Sequence, residues 1–461
     1  MDDIIFINPP YYIKAEKKLN LAFYRELDII QPLGLCYLAS SCQKKGLKTK
    51  IIDMEAEAIN LKKLIFKLKK LQPRTIGITC PSPLLKNVLT ISNEIKKELH
   101  IPIIIGGPHT MINPETLIND QNIDYVIKGE AEDTLPELIK AINSKKNLEE
   151  IPNLIFKKEN KIISTPIKDQ EKDINEYPFP ARELLNNKYY FSIFTKGNVC
   201  TGIITSRGCP YNCIFCNPLY KKIRKRSIEN VIQEIKEVIQ KHNILYFEFF
   251  DETFNLNKKW LIDFCQKIID EKINMRWRIR CRPDLIDDEI SSILKKANCI
   301  TISLGIESAN ENTLKFFKKN YTLTDIKKAI KSIKEHKLKI HGYFILGSPT
   351  ETKEEMLNTI DFAIKSKIDY ASFTLLTPIP GTELYKIAIE KGWYKDQNKT
   401  DYSEQSGYIK AVLKHPTLSQ KEIEDIYALA YKKFYLRGNG IKGLIMLTSP
   451  KLIMKAISRI C

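Results

Sequence analysis

Short apolar runs alternate with longer amphipathic stretches along most of the chain. In the first third, five apolar runs stand at residues 4–7, 49–52, 75–78, 103–105 and 125–127. Between the third and fourth runs, Val88, Ile91 and Ile95 recur at the spacing of one helix face. Short, continuously apolar strands separated by helices are typical of a parallel sheet covered on both faces. The pattern predicts an open, doubly wound, Rossmann-like α/β domain over residues 1–147, with ligands bound at the carboxyl ends of its strands.

The periodicity changes between residues 148 and 199. Apolar residues at 153–156 and 161–164 flank Glu159-Asn160, which predicts a small hairpin. Pro178 and Pro180 then favour an extended segment. We therefore predict a linker here.

Strand and helix patterns alternate again from residue 200 to residue 390. Strands are predicted at residues 202–205, 246–250, 276–280, 300–304, 340–346 and 372–376. Ser227 is a predicted N-cap for the first helix between them. Six strand–helix units predict a partial (β/α)6 barrel of the TIM type, in which chemistry gathers at the carboxyl ends of the strands.

Residues 391–461 are predicted to form a C-terminal helical region that helps to bound the substrate pocket. A helix is expected over residues 423–435. The tail at 441–460 mixes apolar residues with Lys442, Lys451, Lys455 and Arg459. Such a tail could pack on the barrel or lie on a membrane surface near a lipid-like substrate.

Composition and charge restrict the class of protein. Of 461 residues, 43% are hydrophobic and 28% are charged, as in ordinary soluble proteins. The net charge of +18 comes from scattered lysines rather than from a separate basic module, so no nucleic-acid partner is expected. The densest basic run, residues 221–226, could steer an anionic substrate or an acidic reductase, or be a solvated loop.

The chain is expected to be cytoplasmic, with contact at the inner face of the membrane as the alternative that the tail leaves open. The 11 cysteines are odd in number and mostly dispersed, and the N-terminus lacks the layout of a signal peptide. No apolar run approaches the ~20 residues of a membrane-spanning helix. A reducing compartment follows.

Cys209, Cys213 and Cys216 form the one tight cysteine set, directly after the first strand of the second domain. Thiolates are soft ligands that suit an iron–sulfur cluster. A cubane cluster has one iron more than three thiolates can bind, and that open iron is available for chemistry. A zinc knuckle is the alternative, but structural zinc takes a fourth ligand, and the next cysteine, Cys265, lies far downstream.

The Cys-x3-Cys-x2-Cys spacing, with Phe215 just before the last cysteine, resembles the radical S-adenosyl-L-methionine (SAM) superfamily. The resemblance implies a [4Fe–4S] cluster whose open iron binds the amino and carboxylate groups of SAM and supplies the electron that cleaves it. It also implies anaerobic chemistry and an electron donor such as ferredoxin or flavodoxin.

The ends of all six predicted barrel strands match this superfamily in order. The resemblance implies SAM contacts from Phe215, Asp251, Glu252, Arg282, Glu307, Gly347 and Pro380. Structural roles remain open for several of them. The two acidic residues after the second strand could cap the next helix. Arg282 could pair with a neighbouring Asp, and Glu307 could form a structural salt bridge.

The strand-end loops of the first domain resemble a cobalamin-binding domain. The resemblance implies a cobalamin site formed by Pro9, Ser82, Gly106, Gly107, His109, Gly129 and Glu130. The Asp-x-His-x-x-Gly motif that supplies a lower cobalt ligand in other cobalamin proteins is absent after the first strand. The cofactor could be held without a protein histidine, or the domain could have kept its fold and lost the cofactor. His109 is either a candidate ligand or a polar loop residue.

Together these resemblances imply a cobalamin-dependent radical SAM enzyme, with methyl transfer to an unactivated carbon of a small-molecule or lipid-like substrate as the expected reaction. The cofactors would carry the radical chemistry, and the protein would bind and orient them. Cyclisation, rearrangement or carbon–carbon coupling without methyl transfer is the alternative. A sulfur-inserting tRNA modifier is disfavoured, because neither a second cysteine set nor an RNA-binding module is present.

Overall fold

The computed structural model describes residues 1–11, 29–144, 146–159, 161–168, 172–218, 220–394 and 410–436. These residues divide into two compact units, one with residues 1–11 and 31–189 and one with residues 29–30 and the ranges from 190 to 436. Each unit is built on its own sheet. None of the helices in these ranges has both the length and the apolar character needed to cross a bilayer.

The first unit contains seven strands among the described residues. They are β1 (Ile4–Asn8), β2 (Thr49–Asp53), β3 (Thr75–Thr79), β4 (Ile103–Gly106), β5 (Tyr125–Ile127), β6 (Leu154–Lys158) and β7 (Lys161–Ser164). The helices are α1 (Leu33–Lys44), α2 (Leu61–Leu71), α3 (Leu85–Leu99), α4 (Glu115–Ile118) and α5 (Thr134–Ser144). Strand order is β2-β1-β3-β4-β5-β6-β7, with the first five parallel. The predicted doubly wound sheet is confirmed.

Helix α3 shows how this unit is held together. Its residues Val88, Ile91 and Ile95 are fully buried and pack in one cluster with strand residues such as Ile5 and Ile105. Each such side chain contributes roughly 1.5–3 kcal/mol when it leaves water. The apolar stripe in the sequence is therefore the core-facing side of the helix.

The hairpin predicted within the linker is present, but it belongs to the first sheet. Strand β6 pairs antiparallel with β5, with Tyr125 opposite Phe156, and β7 pairs with β6. Without this pairing β5 would be an exposed edge, which folded proteins generally cover. The periodicity predicted the hairpin, but its pairing partner is a tertiary choice that local sequence does not specify.

The second unit contains a six-stranded parallel sheet and a two-stranded ribbon. Its strands are β8 (Cys200–Ile203), β9 (Ser206–Arg207), β10 (Arg224–Lys225), β11 (Tyr246–Phe249), β12 (Arg276–Cys281), β13 (Cys299–Glu307), β14 (Lys339–Leu346) and β15 (Tyr370–Leu375). The helices are α6 (Ile228–His242), α7 (Lys258–Asp270), α8 (Asp288–Lys296), α9 (Glu311–Phe316), α10 (Leu323–Glu335), α11 (Lys353–Lys365), α12 (Glu383–Glu390) and α13 (Gln420–Tyr435).

The large sheet is an open half-barrel. Its order, β8-β11-β12-β13-β14-β15, follows the chain, whereas a doubly wound sheet reverses direction at a switch point. On β12, Trp277 and Ile279 join the core cluster shared with the helices, while Arg278 and Arg280 alternate onto the opposite face. That second face is the inside of the half-barrel, and the predicted partial barrel is confirmed.

Helix α13 closes the β15 edge of this sheet. The Tyr431 hydroxyl accepts from the Phe373 N–H (3.2 Å) and donates to the Phe373 carbonyl (3.0 Å). The Tyr435 hydroxyl does the same with Ala371, at 3.2 and 2.7 Å. Two phenols thus satisfy the strand groups that a further strand would have paired. The predicted C-terminal helix is confirmed, whereas the tail at 441–460 lies outside the described residues.

Candidate active site

The loop that carries the three cysteines starts with a residue that must be glycine. Gly208 has a φ of +100°, and a Cβ placed there would stand 2.3 Å from the Lys222 carbonyl oxygen. L-residues rarely adopt this conformation, and the backbone neighbour cannot move away cheaply. The next residue, Cys209, donates from its N–H to the Tyr220 carbonyl at 3.0 Å. The first cysteine is thereby fixed against the returning arm of its own loop.

Asp251 anchors the chain where it leaves β8. Its fully buried carboxylate accepts from the Thr205 hydroxyl (2.8 Å), the Ser206 hydroxyl (2.5 Å) and the Thr205 N–H (3.1 Å). Burial raises the pKa of Asp251, and these donors oppose the shift. The observed contacts make Asp251 a support for the cysteine loop, and its predicted contact with SAM stays a prediction.

Arg226 anchors the other end of the loop. Its N–H donates to the Thr205 carbonyl at 2.8 Å, and its guanidinium donates to the Ile204 carbonyl at 2.9 Å. The same guanidinium forms a buried ion pair with Glu234 on α6. Two buried charged residues on different elements therefore clamp both ends of the loop.

The middle of the loop rests on a small apolar cluster. Ile214 donates to the Phe317 carbonyl at 3.3 Å and accepts from the Leu384 N–H at 2.8 Å. Ile214 packs with Phe317, Leu384 and Leu413, and Phe215 contacts this cluster. Because both flanking segments follow barrel strands, the tertiary fold positions the loop as well as its own sequence does.

The three thiols lie within electrostatic range of one another. The pKa of Cys216 is raised to about 11 by desolvation of its thiol and by the neighbouring Cys213 and Cys209. In the described part of the chain, no three His, Cys, Asp or Glu side chains converge as ligands of a single ion. In a cubane cluster each thiolate binds a different iron, so its ligands need not converge on one ion. Cationic iron would also offset the repulsion between the thiolates, so the loop fits a cluster.

Glu252 is the second acidic residue after β11, beside this loop. It is exposed, whereas its neighbour Asp251 is buried. Desolvation of its carboxyl raises the pKa of Glu252, and a backbone hydrogen bond from Gly208 opposes the shift. Its position, adjoining the cysteine loop with an accessible carboxylate, suits the predicted contact with an ammonium group.

Arg282 has the structural partner that the sequence left as an alternative. It donates twice to Asp284, at 3.0 Å each, and once to the Lys319 carbonyl at 2.7 Å. Its guanidinium also lies 3.6 Å from the centre of the Tyr211 ring, within the cysteine loop. Stacking and bidentate pairing use most of its donors. Its observed contacts support the loop, and its contact with SAM stays a prediction.

Glu307 forms a buried salt bridge with Lys319, at 2.9 Å. Burial disfavours the charged form of Lys319. The Glu307 carboxylate nevertheless raises the pKa of Lys319, and Cys213 adds to this effect. The ammonium lies 5.4 Å from the Phe215 ring. The sequence analysis missed Lys319, because a lysine between two helices carries no motif. The salt bridge was the stated alternative for Glu307.

The loops after β14 and β15 contain the other two predicted SAM residues. A Cβ on Gly347 (φ +81°) would stand 2.9 Å from the Ile423 side chain, so α13 covers this turn. Pro380 is buried in the loop after β15. Close by, burial raises the pKa of Glu351 to about 7, while the Ser348 N–H donates to its carboxylate at 3.1 Å. Gly347 is tightly packed rather than open.

In the first unit, the predicted cobalamin residues follow adjacent strands. Strands β1, β3, β4 and β5 are neighbours in the sheet, and their carboxyl ends lead to Pro9, Ser82, Gly106, Gly107, Gly129 and Glu130. A Cβ on Gly106 would meet nothing within 4 Å, whereas one on Gly107 would stand 2.9 Å from the Cys80 nitrogen. One glycine leaves space, and the other permits a tight turn. This edge fits a bulky ligand.

His109 is a buried member of this loop. Its Nδ1 lies 3.0 Å from the Ser82 hydroxyl and its Nε2 lies 3.1 Å from the Thr116 hydroxyl. Burial lowers the pKa of His109 to about 4, so the ring is neutral. Both nitrogens are engaged, which agrees with a loop-organising residue. A role as a cobalt ligand would require these contacts to break.

Comparison with protein families assigns both units. Residues 203–363 match the radical SAM superfamily, and residues 27–139 match the B12-binding domain. The first match includes the cysteine loop, the β9–β10 ribbon and the barrel strands β11 to β14.

The chain is also similar to named proteins over most of its length. It is 34% identical over 432 residues to a protein of Pyrococcus horikoshii named as an uncharacterised methyltransferase, covering 92% of this chain and 90% of the relative. It is 28% identical to an anaerobic magnesium-protoporphyrin IX monomethyl ester cyclase of Cereibacter sphaeroides, covering 92% and 72%. A cytidylyl-2-hydroxyethylphosphonate methyltransferase of Streptomyces wedmorensis is 24% identical, with 88% and 86% covered.

Two solved structures share the fold. The radical SAM methyltransferase TsrM from Kitasatospora setae, with cobalamin and a [4Fe–4S] cluster bound, superposes with a TM-score of 0.74 at 18% identity, covering 99% of this chain and all of the other. The cobalamin-dependent radical SAM enzyme OxsB gives 0.76 at 17% identity, covering 99% and 70%.

The half-barrel, its cysteine loop and the sheet before it define a radical SAM enzyme with a B12-binding domain. The chain belongs to the cobalamin-dependent radical SAM family. Its cofactors are a [4Fe–4S] cluster, SAM and cobalamin.

Proposed function

We propose that the protein is a methyltransferase that acts on an unactivated carbon of a small molecule. The main support is the relative from Pyrococcus horikoshii that is named as an uncharacterised methyltransferase. The match covers 90% of that relative and 92% of this chain, and so extends over both cofactor units. Two of the three relatives described above are named methyltransferases. When bound, the cluster and SAM supply a carbon radical, and cobalamin supplies the methyl group.

The cysteine loop holds the cluster through Cys209, Cys213 and Cys216. In this proposal Glu252 receives the amino group of SAM, since its carboxylate is exposed and adjoins Gly208. The other predicted SAM residues divide into two groups. Asp251, Arg282 and Glu307 position the loop and its surroundings through the contacts described above. Phe215, Gly347 and Pro380 shape the walls around SAM.

The cobalamin site is proposed at the carboxyl edge of the first sheet. Gly106 and Gly129 would let the backbone approach the ligand closely. Pro9, Ser82, Gly107 and Glu130 would complete the edge. His109 would order the loop through Ser82 rather than ligate cobalt, because both of its nitrogens already have hydroxyl partners.

The electron donor is proposed to be a small acidic redox protein such as a ferredoxin or flavodoxin. Lys221 and Lys222 are exposed on the returning arm of the cysteine loop. The Lys221 ammonium donates to the Tyr211 carbonyl at 2.7 Å, which places positive charge beside the cluster loop. Positive charge at this point would steer an acidic partner toward the cluster.

An anaerobic assay of the reconstituted protein tests the proposal. Cluster, SAM, cobalamin, reductant and candidate substrates are combined, and the adenosine products are quantified. Both 5′-deoxyadenosine and S-adenosylhomocysteine are expected, because the methyl group and the radical come from separate SAM molecules. If 5′-deoxyadenosine alone accompanies product, the reaction is a cyclisation or rearrangement, which the similarity to the cyclase would explain. Failure of the wild-type chain to retain cobalamin would contradict the first-unit assignment.

A further inference from the structure

The inside of the half-barrel carries a band of polar and charged side chains, which lie on the face opposite the helices. On β11 and β12, Glu248 pairs with Arg278, both almost fully buried. On β13 to β15, His341 lies 3.4 Å from the Ser303 hydroxyl and 2.8 Å from the Ser372 hydroxyl. Apolar packing does not require such groups inside a barrel, so their presence suggests recognition of a polar ligand.

Phe194 covers this band at the amino-terminal end of the strands. Its ring lies 4.9 Å from the His341 ring and 5.0 Å from the Tyr370 ring, and Arg278 stacks on it at 3.9 Å. The contacts are with residues in the first half of each strand. The half-barrel is therefore closed by an aromatic residue at this end, and a ligand would approach from the carboxyl ends, where the cysteine loop lies.

Two arginines of this band share one carboxylate. Glu248 supplies one carboxylate, whereas Arg278 and Arg280 supply two guanidinium groups. Burial and the two arginines hold the pKa of His341 well below its usual range, so the imidazole is neutral and adds no charge. The Glu248 carboxylate therefore faces two guanidinium groups.

Arg280 is the accessible member of this arginine pair. Its side chain is 36% exposed, compared with 6% for Arg278. Its acceptor in the described structure is Glu248, at 3.4 Å, and Arg278 already engages the same oxygen. The guanidinium lies 4.9 Å from the Phe250 ring centre, which holds it in place. Arg280 therefore keeps a fork of donors that suits a carboxylate or a phosphoryl group.

We propose that Arg280 binds an anionic group of the substrate, carboxylate or phosphoryl, inside the half-barrel. The inference rests on the proposed function, because it assigns a substrate class to the same site. Tyr343, which lies next to Ser372 in the strand register and is half-buried, would form part of the same wall. The substrate is then a small-molecule acid. Glu248, which also pairs with Arg278, positions the Arg280 guanidinium.

Ligand-observed NMR on the reconstituted enzyme, with SAM present at saturation, tests this assignment. The probes are phenylphosphonate, benzoate and the neutral isostere benzamide. We expect at least one of the two anions to bind at least about tenfold more tightly than benzamide, and the preferred anion identifies the phosphoryl or carboxylate source. Arg280→Met should weaken that anion about tenfold, and Arg280→Lys should restore part of the affinity.

Arg276→Met is the matched control, because Arg276 is exposed on the same strand at its amino-terminal end. It should bind the probes as the wild type does. Equal probe binding by wild type and Arg280→Met would overturn the assignment. So would an unchanged probe affinity with a tenfold loss of SAM affinity, which would place Arg280 at the SAM carboxylate. The anaerobic assay with reductant and candidate substrates reports on the proposed function separately, through S-adenosylhomocysteine formation by the wild type.

Discussion

At the residue scale, the cysteine loop depends on a backbone conformation that only glycine adopts easily. Replacing Gly208 by Ala would put a methyl group 2.3 Å from the Lys222 carbonyl at a φ of +100°. The left-handed conformation alone costs roughly 1–2 kcal/mol, and the backbone clash adds to it. We expect Gly208→Ala to lower the iron bound per chain after reconstitution by at least about half, as measured by iron analysis. Its circular dichroism spectrum should stay near that of the wild type.

Gly34→Ala is the control for this experiment. Gly34 is the second residue of α1, with no neighbour within 4 Å of its ideal Cβ and no positive φ. Alanine suits a helix better by roughly 0.5–1 kcal/mol, so iron loading should match the wild type. Normal loading in Gly208→Ala would show that the loop relaxes without harm to the cluster site.

Glu351 gives the stability of the protein a predictable pH dependence. Burial raises the pKa of Glu351 to about 7, so the folded state retains a proton that the unfolded chain has already released. Stability is therefore lost as pH rises from the unfolded pKa to the folded pKa. Between about pH 5.5 and about pH 8 the loss should be about 2 kcal/mol, at ~1.4 kcal/mol per pKa unit.

Glu351→Gln removes this titration. Its amide can still accept from the Ser348 N–H or contact the Ser308 hydroxyl, which are the observed partners. In urea unfolding, the variant should therefore gain about 2 kcal/mol relative to wild type on moving from about pH 5.5 to about pH 8. A constant difference between the two proteins across this range would show that Glu351 does not titrate there. Glu354→Gln, on the exposed side of α11, is the control.

At the element scale, the buried ion pair between Arg226 and Glu234 connects the cysteine loop to α6. Their side chains are 4% and 1% exposed. Arg226→Met would leave a buried carboxylate without its partner, which typically costs ~3–5 kcal/mol. The denaturant concentration at which the second unit unfolds should fall accordingly. Iron loading should also fall, because Arg226 donates to the Ile204 carbonyl.

The double variant Arg226→Met/Glu234→Leu separates charge from packing. Removing both charges should recover at least about half of the single variant's loss of stability. The exposed pair Lys241 and Glu237 on the same helix is the matched control. Lys241→Met should change stability by less than about 0.5 kcal/mol. If the double variant is no more stable than Arg226→Met, hydrogen bonding rather than charge pairing is the main contribution of Arg226.

The same scale shows how α13 protects an open sheet. Two tyrosine hydroxyls pair with the backbone of Phe373 and Ala371 on the edge strand. Tyr431→Phe/Tyr435→Phe should cost about 1–2 kcal/mol for each hydroxyl, because strand groups lose their partners. We also expect faster aggregation at elevated temperature, measured by light scattering.

Tyr189→Phe serves as the comparison, since Tyr189 is 38% exposed. Its loss of a hydroxyl should alter neither stability nor aggregation by a measurable amount. Equal behaviour of the double variant and this control would mean that water replaces both phenols at the strand edge.

At the scale of the whole molecule, the two cofactor units should load independently. Cys213→Ala should abolish iron binding and SAM cleavage while cobalamin is retained. Gly107→Val should reduce cobalamin retention while iron content is unchanged, because its side chain would meet the Cys80 backbone. Iron analysis and visible spectra of one reconstituted sample measure both.

The control is Cys42→Ala, a buried cysteine of α1 outside both sites. It should load both cofactors, at a modest loss of stability from the missing thiol. Loss of cobalamin in Cys213→Ala would contradict independent loading.

Much of this organisation was predictable because it is written in local periodicity and spacing. The apolar periodicity of residues such as Val88 and Ile91 predicts which face of a helix is buried, because apolar side chains are most stable away from water. Three thiolates with one open iron follow from the spacing of Cys209, Cys213 and Cys216. Because this spacing is a local feature of the sequence, it indicates the class of cofactor without the tertiary fold.

Sequence alone determined the two α/β units, their strands and the cluster motif, because these depend on neighbours within a few positions. Only the tertiary structure decided that Arg282 pairs with Asp284, that Lys319 reaches Glu307, and that β6 joins the first sheet. It also decided that Arg278 and Arg280, on one strand, share the Glu248 carboxylate of the neighbouring strand. Electrostatic balance is a property of groups brought together from distant strands, and no local pattern records which of them will meet.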